Sequence, residues 1–161
     1  MIAAVVEVEI DMALGVFADL PPQIEAQVLF RDAYACLLDP SGQPQPYTGL
    51  TADRYWAAPH VLVAVHGKTP TELDLSLRRY RMARHIALIL PHWGVAPQVI
   101  QGSDLILTVA RRCLTNVSFL EITAPPLELP TIPFSAISHT RRRADPALRW
   151  LAEEVRGCLD V

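Results

Sequence analysis

Short apolar runs, separated by turn-forming residues, recur along the chain. Residues 61–65 (VLVAV) and 86–90 (IALIL) are uninterrupted, which is the pattern of strands buried on both faces of a sheet. Residues 105–109 (LILTV) form a third apolar run, interrupted only by Thr108. Further strands are predicted at residues 5–14, 26–38 (one strand or two, with a polar break at Arg31-Asp32), 119–123 and 134–138.

Helical patterns alternate with these strands, and their ends carry recognisable signals: an N-cap threonine, a proline in a first turn and a glycine after a last turn. The helices are predicted at residues 52–57, from Thr69 onward, at residues 95–101 and from Asp145-Pro146 to the C-terminus. Strands that alternate with short helices predict an α/β fold with largely parallel sheets.

Two of the predicted strand ends carry residues suited to a binding site. His66-Gly67 follows the first buried strand, and Pro91-His92-Trp93-Gly94 follows the second. Ligands of open α/β sheets bind beyond the carboxyl ends of strands, and an indole supplies an apolar face with one hydrogen-bond donor. The residues therefore favour the lip of a ligand pocket, although a plain strand-to-helix connection with Trp93 in the core fits the same pattern.

The sequence gives little support to a catalytic or metal site. The five histidines lack metal-binding spacings, and no GxSxG, P-loop or GxGxxG motif is present. The three cysteines form no CxxC pair, which fits a reducing compartment better than a disulfide framework. An enzyme that uses His92 and Cys113 is the weakest hypothesis, since nothing in the sequence brings them together. We predict no catalytic residue, no metal ion and no cofactor.

Charge and hydropathy exclude two further classes. The net charge is −3, and the one basic cluster that stands out, Arg141-Arg142-Arg143, is followed by acidic residues, so no nucleic-acid-binding surface is predicted. No stretch reaches the roughly 18 uninterrupted apolar residues of a membrane span, and the N-terminus lacks the basic region of a secretory signal. The sequence predicts a soluble, cytoplasmic protein that does not bind membranes.

Five segments, in order along nearly the whole chain, resemble the effector-binding domain of LysR-type transcriptional regulators. They are IDMALG, FRDAYACLLDPSGQP, LTADRYWAAPHVLVAVHG, RHIALILPHWGVAPQVIQGSDLILTVARR and PFSAISHTRRRADPALRWLAEEV. The resemblance is strongest to the branch whose members sense aromatic or flavonoid-like compounds. It implies that the chain senses a small molecule, aromatic or carboxylated, to control transcription.

The resemblance also implies a type 2 periplasmic-binding-protein-like fold, with two α/β lobes joined by crossing strands and an effector in the cleft between them. Residues 1–56 and 135–161 would form the first lobe, and residues 57–134 the second. Arg31 is a candidate partner for an effector carboxylate. The effector-facing candidates carried over are His66, Gly67, Pro91, His92, Trp93, Gly94, Phe17, Arg31, Phe134 and Ser135.

The sequence departs from the family at its start. The winged helix-turn-helix and the first strand–helix–strand part of the first lobe have no counterpart, so DNA contact is expected only through that missing module. An incomplete first lobe would expose strand edges and apolar surface, which favours a homodimer or tetramer. The alternative function is a truncated dimerisation module that pairs with a full-length regulator without binding an effector.

Overall fold

A computed structural model describes residues 1–17, 19–64 and 71–159 of the chain. They divide into two compact units, the first formed by Met1–Asp32 and Thr131–Val161 and the second by Ala33–Pro130. By this division, residues 33–56 belong to the second unit and residues 131–134 to the first.

Thirteen helices and strands are found in the described residues. In chain order they are α1 (Ile2–Val6), β1 (Met12–Gly15), β2 (Ile24–Asp32), β3 (Tyr34–Leu38), α2 (Ala52–Ala57), β4 (Pro59–Val63), α3 (Glu72–Leu77), β5 (His85–Leu90), α4 (Ala96–Ile100), β6 (Ile106–Ala110), β7 (Glu121–Thr123), β8 (Ile132–His139) and α5 (Pro146–Leu159). Helices and strands alternate much as predicted, and the polar break at Arg31-Asp32 marks the end of β2, so residues 26–38 contain two strands.

The first unit has a three-stranded sheet in the order β1–β8–β2. Both pairs are antiparallel, so the expectation of largely parallel sheets is wrong for this unit. The reason lies in the path of the chain: β2 carries it out of the unit and β8 brings it back, so the two strands run in opposite directions. α5 packs against β2.

The predicted strand over residues 5–14 is wrong in its first half, where the chain forms α1 instead. Ile2, Val5 and Val6 have the three- and four-residue spacing of one helical face, and Val5 is fully buried against Ala13 and Ile137. The alternation of valine and glutamate over residues 5–9 suggested a strand, but burial of this face selects the helix. Only Met12–Gly15 is extended.

The second unit has a five-stranded sheet in the order β5–β4–β6–β3–β7. β4 is parallel to β5 and β6, whereas β3 runs antiparallel to both β6 and β7. The parallel prediction is thus correct for β4, β5 and β6, and the strand-end candidates follow the first two of these strands. α4 covers one face of the sheet, and its Ala96 and Ile100 join the main apolar core.

A carboxylate fixes the turn that follows α4. Asp39, just after β3, accepts hydrogen bonds from the Gly102 N–H at 2.7 Å and from the Ser41 backbone N–H and hydroxyl at 2.8 and 2.7 Å. These bonds hold the pKa of Asp39 below its usual range, and the bond from Gly102 contributes most. Beside them, a Cβ placed on Gly42 would lie 1.9 Å from the Ser103 carbonyl oxygen. The loop after β3 therefore lies directly on the turn after α4.

Gly42→Ala should lower the free energy of unfolding by about 2 kcal/mol or more, because the backbone that its methyl group would strike cannot swing aside. Urea denaturation monitored by circular dichroism measures the change. The matched control is Gly157→Ala in α5, where nothing lies within 4 Å of the added carbon. That variant should gain roughly 0.5–1 kcal/mol from helix propensity. Equal stabilities of the two variants would contradict the close approach.

Candidate functional site

A cavity of about 350 Å³ lies in the second unit, on the face of the sheet that carries Leu37 and Leu107. Its walls come mainly from the segment that follows β5 and the segment that follows β6, so it opens at the carboxyl ends of parallel strands. The lining residues are Leu37, Trp93, Gly94, Ala96, Pro97, Gln98, Leu107, Cys113, Leu114, Thr115, Asn116, Val117 and Phe119. The volume suits a small molecule.

The wall after β5 is held by its own backbone turn. Trp93–Val95 form a 3-10 turn before α4, which begins at Ala96, one residue later than predicted. With its amide nitrogen directed at the turn, Gln98 donates hydrogen bonds to the carbonyl oxygens of Gly94 (3.0 Å) and Val95 (3.2 Å). Pro97 has no N–H. The Gln98 amide nitrogen thus fixes the turn that presents Trp93.

Two of the predicted residues at this junction line the cavity and two do not. Trp93 and Gly94 are lining residues, and Trp93 is 45% exposed, so it does not pack in the core as the alternative interpretation requires. Pro91 and His92 are exposed and lie outside the lining. His92 has extended backbone at the start of the 3-10 turn. The indole of Trp93 therefore lines the cavity, whereas the imidazole of His92 is exposed to solvent.

His66 and Gly67 lie outside the described residues. The last described residue before them is Ala64, whose N–H donates to the Leu90 carbonyl oxygen at 2.9 Å. Leu90 ends β5 and directly precedes Pro91. The two strand ends singled out in the sequence therefore leave the sheet side by side.

The remaining predicted residues lie in the first unit. Ser135 occupies the central strand β8, opposite Gly15 on one side and Val28 on the other, and its side chain is buried. The ring of Phe134 stacks on Phe30 with centroids 5.0 Å apart. Phe17 is half-buried over Gly15, whereas Arg31 is exposed on β2 beside Pro133. Phe134 and Phe17 have packing roles here that the sequence did not indicate.

The wall after β6 was missed by sequence reasoning. Cys113, Thr115, Asn116 and Phe119 all line the cavity, and Phe119 is 53% exposed at its rim. Asn116 has a positive φ of 56°, a conformation that asparagine tolerates better than most residues. Residues 114–120 carry no helical or strand period, and the strand predicted at 119–123 begins only at Glu121. The signal that the sequence offered was Asn116, a residue typical of turns, followed three positions later by the aromatic Phe119.

No charged side chain is among the described residues that line the cavity. Its polar groups are the hydroxyl of Thr115, the amides of Asn116 and Gln98 and the indole N–H of Trp93. The exposed rings of Trp93 and Phe119 face the solvent side, and such an exposed aromatic patch marks a binding surface more often than a plain monomer surface. The arrangement can hold an apolar ring and orient one or two uncharged polar substituents.

The opposite face of the same sheet holds a buried polar network. His60 is fully buried, and its Nε2 donates to the Tyr55 carbonyl oxygen at 2.7 Å. Burial lowers the pKa of His60 to about 4, so the ring is neutral near pH 7. The Tyr55 hydroxyl and the Thr108 Oγ1 lie 3.1 Å apart, and burial raises the pKa of Tyr55 to about 12. This network stabilises the face of the sheet opposite the cavity, and none of its side chains lines the cavity.

An ion pair between the buried Arg84 and the half-buried Asp74 fixes α3, the helix that follows the undescribed residues 65–70. The Arg84 guanidinium contacts the Asp74 carboxylate at 2.5 Å through Nη2 and 3.2 Å through Nε. Asp74 also accepts from the Thr71 N–H at 3.0 Å, which closes a capping box. Burial alone would raise the pKa of Asp74, but the hydrogen bonds and charge of Arg84 outweigh it and lower the pKa. The start of α3 is therefore firmly placed.

Comparison with known proteins decides the family. The model of the LysR substrate binding domain matches residues 1–159. The chain belongs to this family. This LysR domain is 28% identical over 147 residues to the HTH-type transcriptional activator NagR of a Ralstonia species, covering 89% of the chain and 48% of the relative. It is 31% identical over 151 residues to the HTH-type transcriptional regulator SyrM 1 of Sinorhizobium fredii, covering 91% and 44%. The chain thus spans about half the length of these relatives.

Solved structures confirm the fold. The regulatory domain of MexT, a transcriptional activator in Pseudomonas aeruginosa, superposes with a TM-score of 0.80 at 25% identity, covering 96% of this chain and 75% of that chain. The effector-binding domain of QuiR, solved in complex with shikimate, superposes with a TM-score of 0.76 at 10% identity, covering 96% and 73%. The LysR domain therefore has the type 2 periplasmic-binding-protein-like α/β fold that the resemblance implied.

The helices and the metal-binding side chains of the LysR domain were also compared with what a membrane span and a metal site require. None of the helices in the described part of the chain combines the length and apolarity needed to cross a bilayer. Within those same residues, no group of three or more His, Cys, Asp or Glu side chains is placed to hold a metal ion. The relatives are named as transcriptional regulators.

The neutral state of His60 predicts a pH dependence of stability. Its pKa of about 4 in the fold lies below the ordinary 6.5, so the unfolded chain takes up the proton first as the pH falls. The stabilisation that the neutral His60 contributes to the folded state is therefore fully present above pH 6.5, and it is lost as the pH falls from 6.5 to about 4. His60→Gln keeps a donor for the Tyr55 carbonyl without titrating. Between pH 6.5 and 4, urea unfolding should show the free energy of unfolding of the wild type falling by on the order of 2 kcal/mol more than that of the variant. The same pH dependence in both proteins would contradict the prediction.

The three thiols should differ in reactivity. Cys36 is buried, and burial raises its pKa to about 11, whereas Cys113 and Cys158 are exposed. Brief treatment of the folded protein with iodoacetamide near neutral pH should modify Cys113 and Cys158 and spare Cys36. Mass spectrometry of the digested protein gives the modified fraction at each site. Modification of Cys36 at the rate of the other two would show that β3 is not in the core, and prior unfolding in urea should equalise all three.

Proposed function

We propose that this LysR domain is the effector-sensing part of a transcriptional regulator, and that it binds a small aromatic molecule in the cavity between the segments that follow β5 and β6. The observation that carries the proposal is the cavity itself, which is rimmed by the exposed rings of Trp93 and Phe119 and lined by uncharged polar groups. Aromatic rings stack on such walls, and a few placed polar groups fix the orientation of a ligand.

Several observations support a binding role in place of a catalytic one. His92 and Cys113, the pair considered for nucleophilic catalysis, are divided between solvent and the cavity wall, since only Cys113 lines the cavity. The relatives NagR and SyrM 1 are named as transcriptional regulators. The effector-binding domain of QuiR, which has the same fold, was solved in complex with shikimate.

The proposed mechanism is differential affinity, with no bond made or broken. A ligand that binds one conformation of the domain more tightly than another shifts the population toward it by that difference in affinity. Transcriptional control further requires that this shift reach bound DNA, which we propose to occur through an oligomer and through a helix-turn-helix module of the kind that the names of the relatives give. His66, Gly67 and Arg31 stay proposals as additional effector contacts.

Trp93→Ala should weaken the binding of an aromatic ligand by at least roughly tenfold, because the ring loses its stacking partner. Isothermal titration with a panel of aromatic carboxylic acids, each paired with its uncharged amide, identifies the ligand and measures the change. The matched control is Trp150→Ala, since Trp150 is 60% exposed on α5 in the first unit. Binding that both variants retain in full would remove Trp93 from the site.

Protection of a single thiol locates the same ligand without mutation. A molecule in the cavity should slow the alkylation of Cys113, which lines the cavity, and leave that of Cys158, which is exposed on α5, unchanged. Rates are read by mass spectrometry over a titration of the ligand. A ligand that binds tightly and protects neither thiol binds elsewhere and would overturn the placement.

A further inference from the structure

A second and smaller cavity, of about 120 Å³, lies in the second unit at the other ends of the parallel strands. Pro59, the first residue of β4, and Asp104, two residues before β6, both line it, so it opens at the amino ends of these strands. Among the described residues, it shares no lining residue with the cavity rimmed by Trp93 and Phe119. A ligand in this small cavity is therefore independent of the proposed effector site.

The walls of the small cavity are held in place by contacts within the second unit. Gln43 follows Gly42, whose backbone lies directly on Ser103, the residue before Asp104. Another wall is formed by residues 57–59, where α2 ends and β4 begins. The cavity is therefore preformed. Its apolar lining consists of Pro44, Ala57, Ala58 and Pro59.

The side-chain amide of Gln43 is a hydrogen-bonding group without a partner. The residue is 6% exposed and lines the small cavity, yet its amide nitrogen has no hydrogen-bond partner among the described residues. Gln45 in the same loop differs, since its amide nitrogen donates to the Pro40 and Gln43 carbonyl oxygens at 3.1 and 3.0 Å. A buried donor without an acceptor destabilises a fold, and native proteins keep few of them. The Gln43 amide therefore indicates that the small cavity receives a hydrogen-bond acceptor.

The lining of the small cavity also contains one cationic and one anionic side chain. The Arg54 guanidinium donates to the carbonyl oxygens of Pro44 and Pro46 at 3.1 and 2.6 Å, and these bonds fix its position without neutralising its charge. The Asp104 carboxylate accepts no hydrogen bond from the described residues. Arg54 and Asp104 line the same cavity, but within the described part of the chain they form no ion pair with each other. A ligand that matches this lining carries both charges.

We propose that the small cavity binds a small aliphatic α-amino acid in its zwitterionic form. The carboxylate of the amino acid accepts from the Gln43 amide and is attracted by the positive charge of Arg54, and its ammonium group pairs with Asp104. A short aliphatic side chain suits the volume of the cavity and its lining of prolines and alanines. A ligand with a single charge leaves one charged side chain of the cavity unpaired, so recognition requires both groups of the amino acid.

Isothermal titration of the 161-residue chain with glycine, L-alanine, L-valine and L-proline tests the proposal. At least one of them should bind, and analogues of it that lack either charge should bind at least roughly tenfold more weakly. For L-alanine, these analogues are ethylamine and propionate. A saturating concentration of the amino acid should leave the alkylation rate of Cys113 unchanged, since Cys113 lines the other cavity. The thiol readout thereby separates the small cavity from the proposed effector site.

Two variants test the residues that are proposed to hold the amino acid. Asp104→Asn should weaken binding by at least roughly tenfold, because it removes the charge that pairs with the ammonium group. The matched control is Asp53→Asn, since Asp53 is exposed on α2 and does not line the small cavity. Gln43→Met keeps the length of the side chain but removes the amide, so it should weaken binding by a similar factor. Because that amide is unpaired in the free fold, Gln43→Met should leave the urea midpoint of the free protein unchanged or higher.

The proposal is overturned if none of the four amino acids binds at millimolar concentration, if a singly charged analogue binds as tightly as its amino acid, or if the two asparagine variants bind equally. A lower urea midpoint for Gln43→Met would show that the amide serves the fold itself, and this too would refute the site. Protection of Cys113 would place the amino acid in the other cavity. Failure of the proposed effector site, which the Trp93→Ala titration measures, would change none of these outcomes.

Discussion

The second unit depends on one short contact, the hydrogen bond between the Asp39 carboxylate and the Gly102 N–H, made beside the close approach of Gly42 to Ser103. It joins the end of β3 to the end of α4, which are distant in sequence. α4 is only five residues long and would not be stable alone, so its position is set by this contact at one end and by the packing of Ala96 and Ile100 along its length. Because the Trp93 turn leads directly into α4, the same contact also sets the wall of the cavity.

The fold was predictable wherever a residue pattern had a single structural solution. Short apolar runs predicted β4, β5 and β6, and the Thr51 cap, whose Oγ1 accepts from the Arg54 N–H, predicted α2. The pattern failed where two solutions competed. Over residues 2–6 the spacing of apolar residues satisfies a helix, while the valine–glutamate alternation that follows suggests a strand; burial of Val5 against β8 decides, and that contact is formed by residues over a hundred positions apart. The antiparallel direction of the strands in the first unit likewise depends on β8, which returns to this unit from the distant residues 132–139.

The candidate site was predictable for one of its two walls. Trp93 and Gly94 stand at a strand end with clear local signals, whereas Asn116 and Phe119 belong to an aperiodic segment whose position follows from β6 and the core around Val117. The family resemblance added residues by alignment of motifs, and so it could not distinguish Phe134, which stacks on Phe30, from a ring that faces a ligand. A family resemblance indicates which positions correspond to binding residues in the family. The burial of each side chain in this protein then decides which of these residues can contact a ligand.

The two faces of the second-unit sheet show why the cavity is on the side of Leu37 and Leu107. On the other face, the side chains of Cys36 and Tyr55 both lie within hydrogen-bond distance of the Thr108 hydroxyl, His60 donates to the Tyr55 carbonyl oxygen, and burial keeps these titratable groups neutral. A ligand entering there would have to break buried hydrogen bonds, each costly to lose. On the cavity face the core is apolar, and the exposed rings lose unfavourable contact with water when a ligand covers them. With no charged side chain among the described lining residues, an ionised group would meet no opposite charge on this wall.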